Sequence, residues 1–441
     1  MTSRSAAGQA WQPSELVGWL LITGLVAIAL GVVARRPDVV ALAAPLLGWA
    51  AVARVPDGPP ATAEEDPTTM VVDTGLVSVD IELRGTPGGA VKLGAGASGA
   101  RTDTVLVDLG ATGTRRVSVS GPGVRTGPRR LFALDLQSVA PALDAISGTS
   151  HVPAPTVLVR PRAWPLGEVP LPTSLHGLTG AHSSRRPGHG GELRDVHVFG
   201  AGDRLRGIDW RTTARRSPEL DEIYVRRTHA TADALVMLVL DSRDDVGPDP
   251  ATWLGGEPPR ADDPTSLDVA RNAAASLAKA YLDGGDRVGL TDLGRERAPI
   301  APVGGGRALR RIVQTLAVAR PDPHRIARVR APRLPAGALV VILSTFLDDD
   351  AARVARSWRG AGHRVVAVDV LPPVRTGGLS ADQRLAWRIV ARERADRLQQ
   401  MRAEGVELLA WTDGGDPAVQ LRLLARAGRR GGRTRTVGAG A

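Results

Sequence analysis

Apolar residues follow three rhythms along this chain. The first is continuous. Leu16 to Ala34 is a run of 19 uncharged residues, long enough to cross the hydrocarbon core of a bilayer as a helix. Arg35, Arg36, Pro37 and Asp38 interrupt it, and Val39 to Ala53 adds 15 uncharged residues before Arg54. The second run is short for a span, but Arg54 can snorkel and Val55 extends it. The pattern predicts a membrane-anchoring helical hairpin within residues 1–55, in contact with lipid over 16–55, with Trp11, Trp19 and Trp49 near the interfaces. A cleaved signal peptide and a buried soluble helix pair are the rival readings. Against the first, Arg4 alone makes a weak basic start and a second apolar run follows. Against the second stands the length of the first run. The positive-inside rule places the Arg35-Arg36 turn in the cytoplasm, yet Arg4 and Arg54 flank the other side, so the charge difference does not decide orientation.

The second rhythm is alternation. After a Pro- and Thr-rich stretch over 56–69 that reads as a solvated linker, period-2 runs appear at 76–83, 104–109, 115–120, 130–137 and 155–161. Short alternating strands with turn signals between them predict a small β-sandwich over 70–170. Residues 171–230 form a connecting segment that is loop-like up to about 195.

The third rhythm occupies 231–428. Nearly all-apolar strands at 234–241, 286–294, 337–345, 363–371 and 406–412 alternate with helical patterns at 266–285, 306–320, 350–362, 381–405 and 416–427. Apolar strands that alternate with helices predict an α/β doubly wound parallel sheet, its strands covered on both faces. Residues 429–441, rich in Arg and Gly, read as a disordered basic tail.

Composition changes this picture little. Lys occurs only at Lys92 and Lys279, so nearly all of the 56 basic residues are Arg, and the net charge is +10. Those arginines are scattered rather than gathered, so the excess does not by itself point to nucleic acid. There is no cysteine, which excludes disulfides and thiolate metal sites and leaves the compartment open. His176, His182, His189 and His197 lie close together, but their spacing fits no paired-ligand pattern for zinc. No nucleophile–base arrangement or P-loop appears.

Between the second and third rhythms runs Gly191, Glu192, Leu193, Arg194; then Gly202, Asp203; then Arg206, Gly207, Ile208, Asp209, Trp210, Arg211, Thr212, Thr213, Ala214, Arg215. Read physically, this is a mixed-charge segment. Arg194, Arg206, Arg211 and Arg215 can pair with Glu192, Asp203 and Asp209, while Trp210, Ile208 and Ala214 anchor it on a domain face. The alternative is a surface that grips an acidic partner or a phosphate. The segment resembles the signature of the domain of unknown function 58 family, with Leu193, Arg211 and Thr213 as departures. The order of hairpin, β-rich region, signature and α/β domain is similar as well. The resemblance implies a membrane-anchored protein with a von Willebrand factor A-like domain. It also implies a partner, a MoxR-type AAA+ ATPase, in assembly or maturation of envelope components, which favours a cytoplasmic soluble part.

Such domains place a Mg²⁺ site after their first strand, as Asp-x-Ser-x-Ser, with a further Asp from a later loop. Here Asp241 keeps the first position, Arg243 replaces the first hydroxyl, and Asp245 stands at the fifth position. Thr345 stands where the later Asp is expected. A hard cation needs about six oxygens, and Arg243 offers none. The expectation is a degenerate metal site with no cofactor, in which the guanidinium stands in for the cation and pairs with Asp241 and Asp245. A replacement acidic site through Asp244 and Asp245 is the other possibility. The function expected is therefore non-enzymatic protein interaction. The alternative is a metal-assisted hydrolase using the acidic loops 241–245 and 348–350.

Overall fold

The computed structural model describes every residue except 1–9, 66–70, 74–75, 98–102, 124, 131, 155, 176–179, 254–258, 261, 296–297, 323–330, 413–415 and 435–441. Its contacts divide the chain into two units, Met1–Val159 with Arg260–Asp262, and Arg160–Pro259 with Asp263–Ala441.

The first unit opens with β1 (Trp11–Pro13), α1 (Glu15–Val33) and α2 (Pro37–Val52). Among the described residues α1 is the one helix long and apolar enough to cross a membrane; α2 is apolar but has only 16 residues. The two helices pack closely where α1 lacks a side chain. A Cβ on Gly31 would lie 2.6 Å from Val40 Cγ2 and 2.9 Å from the Val40 backbone nitrogen.

Eleven strands follow among the described residues: β2 (Thr62–Glu65), β3 (Val71–Asp73), β4 (Leu76–Arg84), β5 (Ala90–Ala97), β6 (Asp103–Asp108), β7 (Thr114–Pro122), β8 (Gly127–Arg130), β9 (Phe132–Val139), β10 (Ala145–Ser147), β11 (Ser150–Val152) and β12 (Thr156–Val159). One antiparallel sheet runs β1-β10-β9-β5-β6, with β11 on β9; a second runs β2-β4-β3, with β7 on β4; β8 and β12 pair separately. Alternation sends Val77, Val79, Ile81 and Leu83 of β4 into a core shared with Val91 and Leu93 of β5 and Leu134 and Leu136 of β9. The short strands β1, β3, β10 and β11 lie outside the predicted runs, and two longer elements also depart from the sequence pattern. β2 pairs with β4 inside the stretch expected to be a solvated linker. β5 is not predicted, because its Gly94 and Gly96 interrupt the apolar alternation; backbone pairing to β6 and β9 supplies what side chains do not.

The second unit takes up the chain at Arg160, earlier than the boundary expected near 170. Leu166 packs into its core, and the Tyr281 hydroxyl donates to the Pro170 carbonyl at 2.6 Å. The region expected to be loop-like up to 195 is instead β13 (His182–Val198), paired antiparallel with β14 (Tyr224–Ala232). Its Gly- and Arg-rich composition hides a strand whose register shifts three times. Between them an excursion carries the short helix α3 (Trp210–Arg216).

Then come β15 (Leu235–Leu240), α4 (Ser266–Asp283), β16 (Arg287–Asp292), β17 (Ile300–Val303), α5 (Gly306–Val318), β18 (Leu339–Ser344), α6 (Asp349–Gly360), β19 (Arg364–Asp369), α7 (Ala381–Ala403), β20 (Glu407–Ala410) and α8 (Pro417–Thr434). The sheet order is β17-β16-β15-β18-β19-β20, parallel except for the antiparallel edge strand β17. Helices cover both faces. Val236, Leu238, Leu240, Val341 and Leu343 meet α4 and α5 residues such as Leu277 and Ile312. Val239, Val340, Ile342 and Ala367 meet Val354 and Trp358 of α6 and Met401 of α7. This is why the strands carry no polar alternation: each successive side chain enters a different core. The cap of α4 is Thr265, whose hydroxyl and backbone N–H both bond Asp268, one residue before the start expected from the sequence. α8 continues to Thr434, past the expected start of a disordered tail; residues 435–441 lie outside the described residues.

Candidate functional site

The carboxyl ends of the parallel strands gather acidic and hydroxyl groups: Asp241 directly after β15, Asp292 at the end of β16, Ser344 at the end of β18 and Asp369 at the end of β19. In open α/β sheets this edge is where ligands bind. At its centre sits Arg243, with a side chain only 4% exposed. Its Nε donates to Asp241 Oδ1 at 2.8 Å and its Nη2 to Asp241 Oδ2 at 2.9 Å. From the other side, Nη1 and Nη2 donate to the two oxygens of Asp348 at 2.7 and 3.0 Å, and Nη1 reaches Asp350 Oδ2 at 3.3 Å. These are two fork-on-fork pairs on one guanidinium. Burial works against the charge, but the bonds and charges of Asp241 and Asp348 outweigh it and hold the guanidinium's pKa above its usual range.

The guanidinium therefore binds the loop after β15 to the loop after β18. Of the two partners the sequence assigned to it, Asp241 is one; the others come from residues 348–350, and Asp245 stands half-buried on the first loop. Thr345 also differs from its expected place. The group that reaches Asp241 from β18 is the Ser344 hydroxyl, donating to Oδ2 at 2.7 Å. The Thr345 hydroxyl instead accepts from the Leu347 N–H at 3.4 Å, and its carbonyl accepts from Arg394 Nε at 2.8 Å. Between them Phe346 has a backbone φ of +51° and a fully buried side chain. A bulky residue in that region costs about 1–3 kcal/mol and persists only where its surroundings hold it. Arg397 of α7 supplies part of that hold, donating to the Phe346 carbonyl at 2.9 Å and pairing with Asp349.

Sequence reasoning missed Asp292. The Ser242 hydroxyl donates to its two oxygens at 2.7 and 2.8 Å, and the Gly294 N–H donates to Oδ1 at 2.9 Å. Burial pushes its carboxyl above the usual range, against those hydrogen bonds. Gly294 permits the approach, since a Cβ there would stand 2.5 Å from Ser242 Oγ. The available signal was positional: three of the parallel strands end in, or are followed at once by, an aspartate.

The signature residues are arranged otherwise than predicted. Gly202 takes a φ of +94° in a turn where Asp203 Oδ2 accepts from the Gly200 N–H at 3.0 Å. Asp203 pairs bidentately with Arg227 of β14, at 3.1 and 2.9 Å, rather than with a signature arginine. That bond, chiefly, holds its carboxyl below the usual range. Asp209 caps α3, accepting from the Thr212 N–H at 3.0 Å, and stands 3.8 Å from Arg226. Arg194 pairs with its neighbour Asp195. Gly191, Glu192, Arg206, Arg211, Ala214 and Arg215 are exposed; Ile208 is half-buried and bridges Val225. Trp210, expected to anchor the segment, is 63% exposed. The buried residue of this short helix is Thr213, whose hydroxyl accepts from the Tyr224 N–H at 2.9 Å; Trp210, at the helix start, projects into solvent.

Of the four histidines, His176 and the side chain of His189 lie outside what the structure describes. His182 Nε2 is 2.9 Å from Asp286 Oδ1, and His197 Nδ1 is 2.5 Å from the Val198 carbonyl. Among the described residues no group of three or more His, Cys, Asp or Glu side chains is arranged to hold a metal ion.

Residues 195–376 match the family described as protein of unknown function DUF58, and that segment belongs to it. The match spans the excursion from Asp195 and both loops joined by Arg243. No curated protein matches the chain. Two solved structures are distantly similar. One is a Bifidobacterium dentium β-glucuronidase complexed with coumarin-3-O-glucuronide, 8% identical over 80% of this chain and 43% of its own, with a TM-score of 0.15. This chain thus spans under half of that protein. The other is a family two carbohydrate esterase from Cellvibrio japonicus, 12% identical over 85% of this chain and 98% of its own, with a TM-score of 0.16. Likenesses this weak carry no argument about fold or function.

Proposed function

We propose that this DUF58 chain is a membrane-anchored, non-enzymatic interaction protein. Its second unit is read as a von Willebrand A-like domain and its first as a β-sandwich-like domain behind a two-helix anchor, with the soluble part cytoplasmic. The partner proposed is a MoxR-type AAA+ ATPase, met at the carboxyl edge of the parallel sheet. The observation that supports this most is the Arg243 cluster. A von Willebrand A-like domain bridges to its ligand through a cation, and here a fixed guanidinium occupies the Asp241 carboxylate from within the chain. The loops are thereby joined without a metal, and the edge is left as a preformed surface. The same bonds weigh against a metal-assisted hydrolase, because Asp241 and Asp348 already bind a cationic side chain.

Two measurements test the reading. Capture of the full-length chain from native membranes should recover an AAA+ ATPase of this type; recovery of none with the wild type sinks the partnership. Titration of the purified chain with Mg²⁺ or Mn²⁺ should show no tight binding. Micromolar binding that Asp241→Ala abolishes would overturn the guanidinium reading and favour the hydrolase.

A further inference from the structure

The excursion between β13 and β14 sorts its side chains by chemistry. Of its five carboxylates, Glu219, Asp221 and Glu222 are exposed at its far end, and two turn inward, Asp203 onto Arg227 and the Gly200 N–H, and Asp209 onto the Thr212 N–H. Its arginines do not follow them. Arg204, Arg206 and Arg211 are exposed, and among the described residues none of the three makes an ion pair. Large apolar side chains stand beside them: Leu205 is 74% exposed and Trp210 63%. From Arg204 to Arg216 the exposed charged side chains are all arginines, so this stretch offers a surface that is cationic and apolar together, although the sequence of the whole segment is mixed in charge. An exposed leucine or tryptophan alone means little. An indole and a leucine set among arginines within one short segment match the headgroup boundary of an anionic bilayer, where rings and alkyl groups sit at the interface and guanidinium groups meet phosphates.

We infer that residues 204–216 seat on the surface of an anionic membrane, Leu205 and Trp210 entering the interface while Arg204, Arg206 and Arg211 bind lipid phosphates. A bilayer is the favoured occupant because the same chain carries α1, a helix apolar and long enough to cross one. Tethering then makes the contact intramolecular, so a weak patch suffices. The inference uses no residue of the Arg243 cluster and stands or falls apart from the proposed partner.

The chain has no cysteine, so one probe can be placed at will. Leu205→Cys, labelled with an environment-sensitive fluorophore, is read in the full chain reconstituted in lipid nanodiscs. The expected result is a blue shift in discs containing phosphatidylglycerol, absent in discs of phosphatidylcholine alone and reversed by high salt. The same label at Gln399→Cys, exposed on α7, should not respond. Each of Arg204, Arg206 and Arg211 replaced by Gln should weaken the lipid response roughly fivefold. Position 205 is exposed, so the labelled chain should melt like the wild type. No shift in phosphatidylglycerol discs from a normally melting chain overturns the inference. So does a shift given by soluble polyglutamate but not by those discs, which would make the patch an acidic-protein site.

Discussion

Two arginine- and aspartate-rich regions of the second unit settle their charges in opposite ways. In the loops after β15 and β18, one guanidinium is buried between two carboxylates. In the excursion between β13 and β14 the carboxylates of Asp203 and Asp209 are turned inward, while the arginines from Arg204 to Arg216 are left in solvent. The residue types are alike, and the difference is the scaffold. The first region sits at the edge of a six-stranded sheet, where each unpaired charge would face a dry, low-dielectric surrounding. The second hangs on a two-stranded ribbon with one short helix, where water solvates a guanidinium at little cost. Buried charge there has become a fastener between loops; exposed charge has remained available for a partner.

The comparison breaks most easily at its centre. Arg243→Ala leaves the Asp241 carboxylate buried with its cation gone, and should cost about 3–5 kcal/mol in denaturant unfolding. Asp241→Asn keeps the shape and removes one charge, and should cost about 1.5–3 kcal/mol by the same measurement. If either variant unfolds at the wild-type midpoint, the cluster is not a fastener.

Acid–base behaviour sharpens the contrast, because the two regions should respond to pH with opposite sign. Asp292 is raised by burial. Its contribution to stability is present below the ordinary carboxylate pKa and is lost as pH rises through the raised folded value. Asp292→Asn should therefore flatten the fall in stability on going upward from acid. Asp203 is lowered, chiefly by Arg227. Its contribution is present above the ordinary pKa and is lost as pH falls through the lowered folded value. Asp203→Asn should flatten the fall on the acid side, by less, since that pair is nearer solvent. Unfolding midpoints across pH read both slopes. At the small end, Trp210→Ala should change stability by no more than about 0.5 kcal/mol, because the indole is largely in water. A larger loss would restore Trp210 as an anchor.

Much of the second unit was legible before folding. Runs such as LVMLVL at 235–240 and LVVILS at 339–344 carry no polar alternation, and only strands covered on both faces tolerate that. β13 was not legible, because its pairing is carried by backbone groups and its glycines and arginines give no period. β5 was hidden for the same reason. At the candidate site, Asp241 and Arg243 were visible as chemistry, and their bond could be anticipated from two residues of separation. Asp348 could not be assigned to them, since it lies 105 positions away and is brought in only by the parallel register of β15 and β18.

The sequence by itself therefore determined the alternation of strand and helix, the apolar stretch at α1 and the cation placed two residues after Asp241 at Arg243. Local period and side-chain chemistry are enough for each of these. Tertiary structure decided which charges became partners and which stayed in water. That choice depends on distance and desolvation, and neither exists until the sheet has assembled.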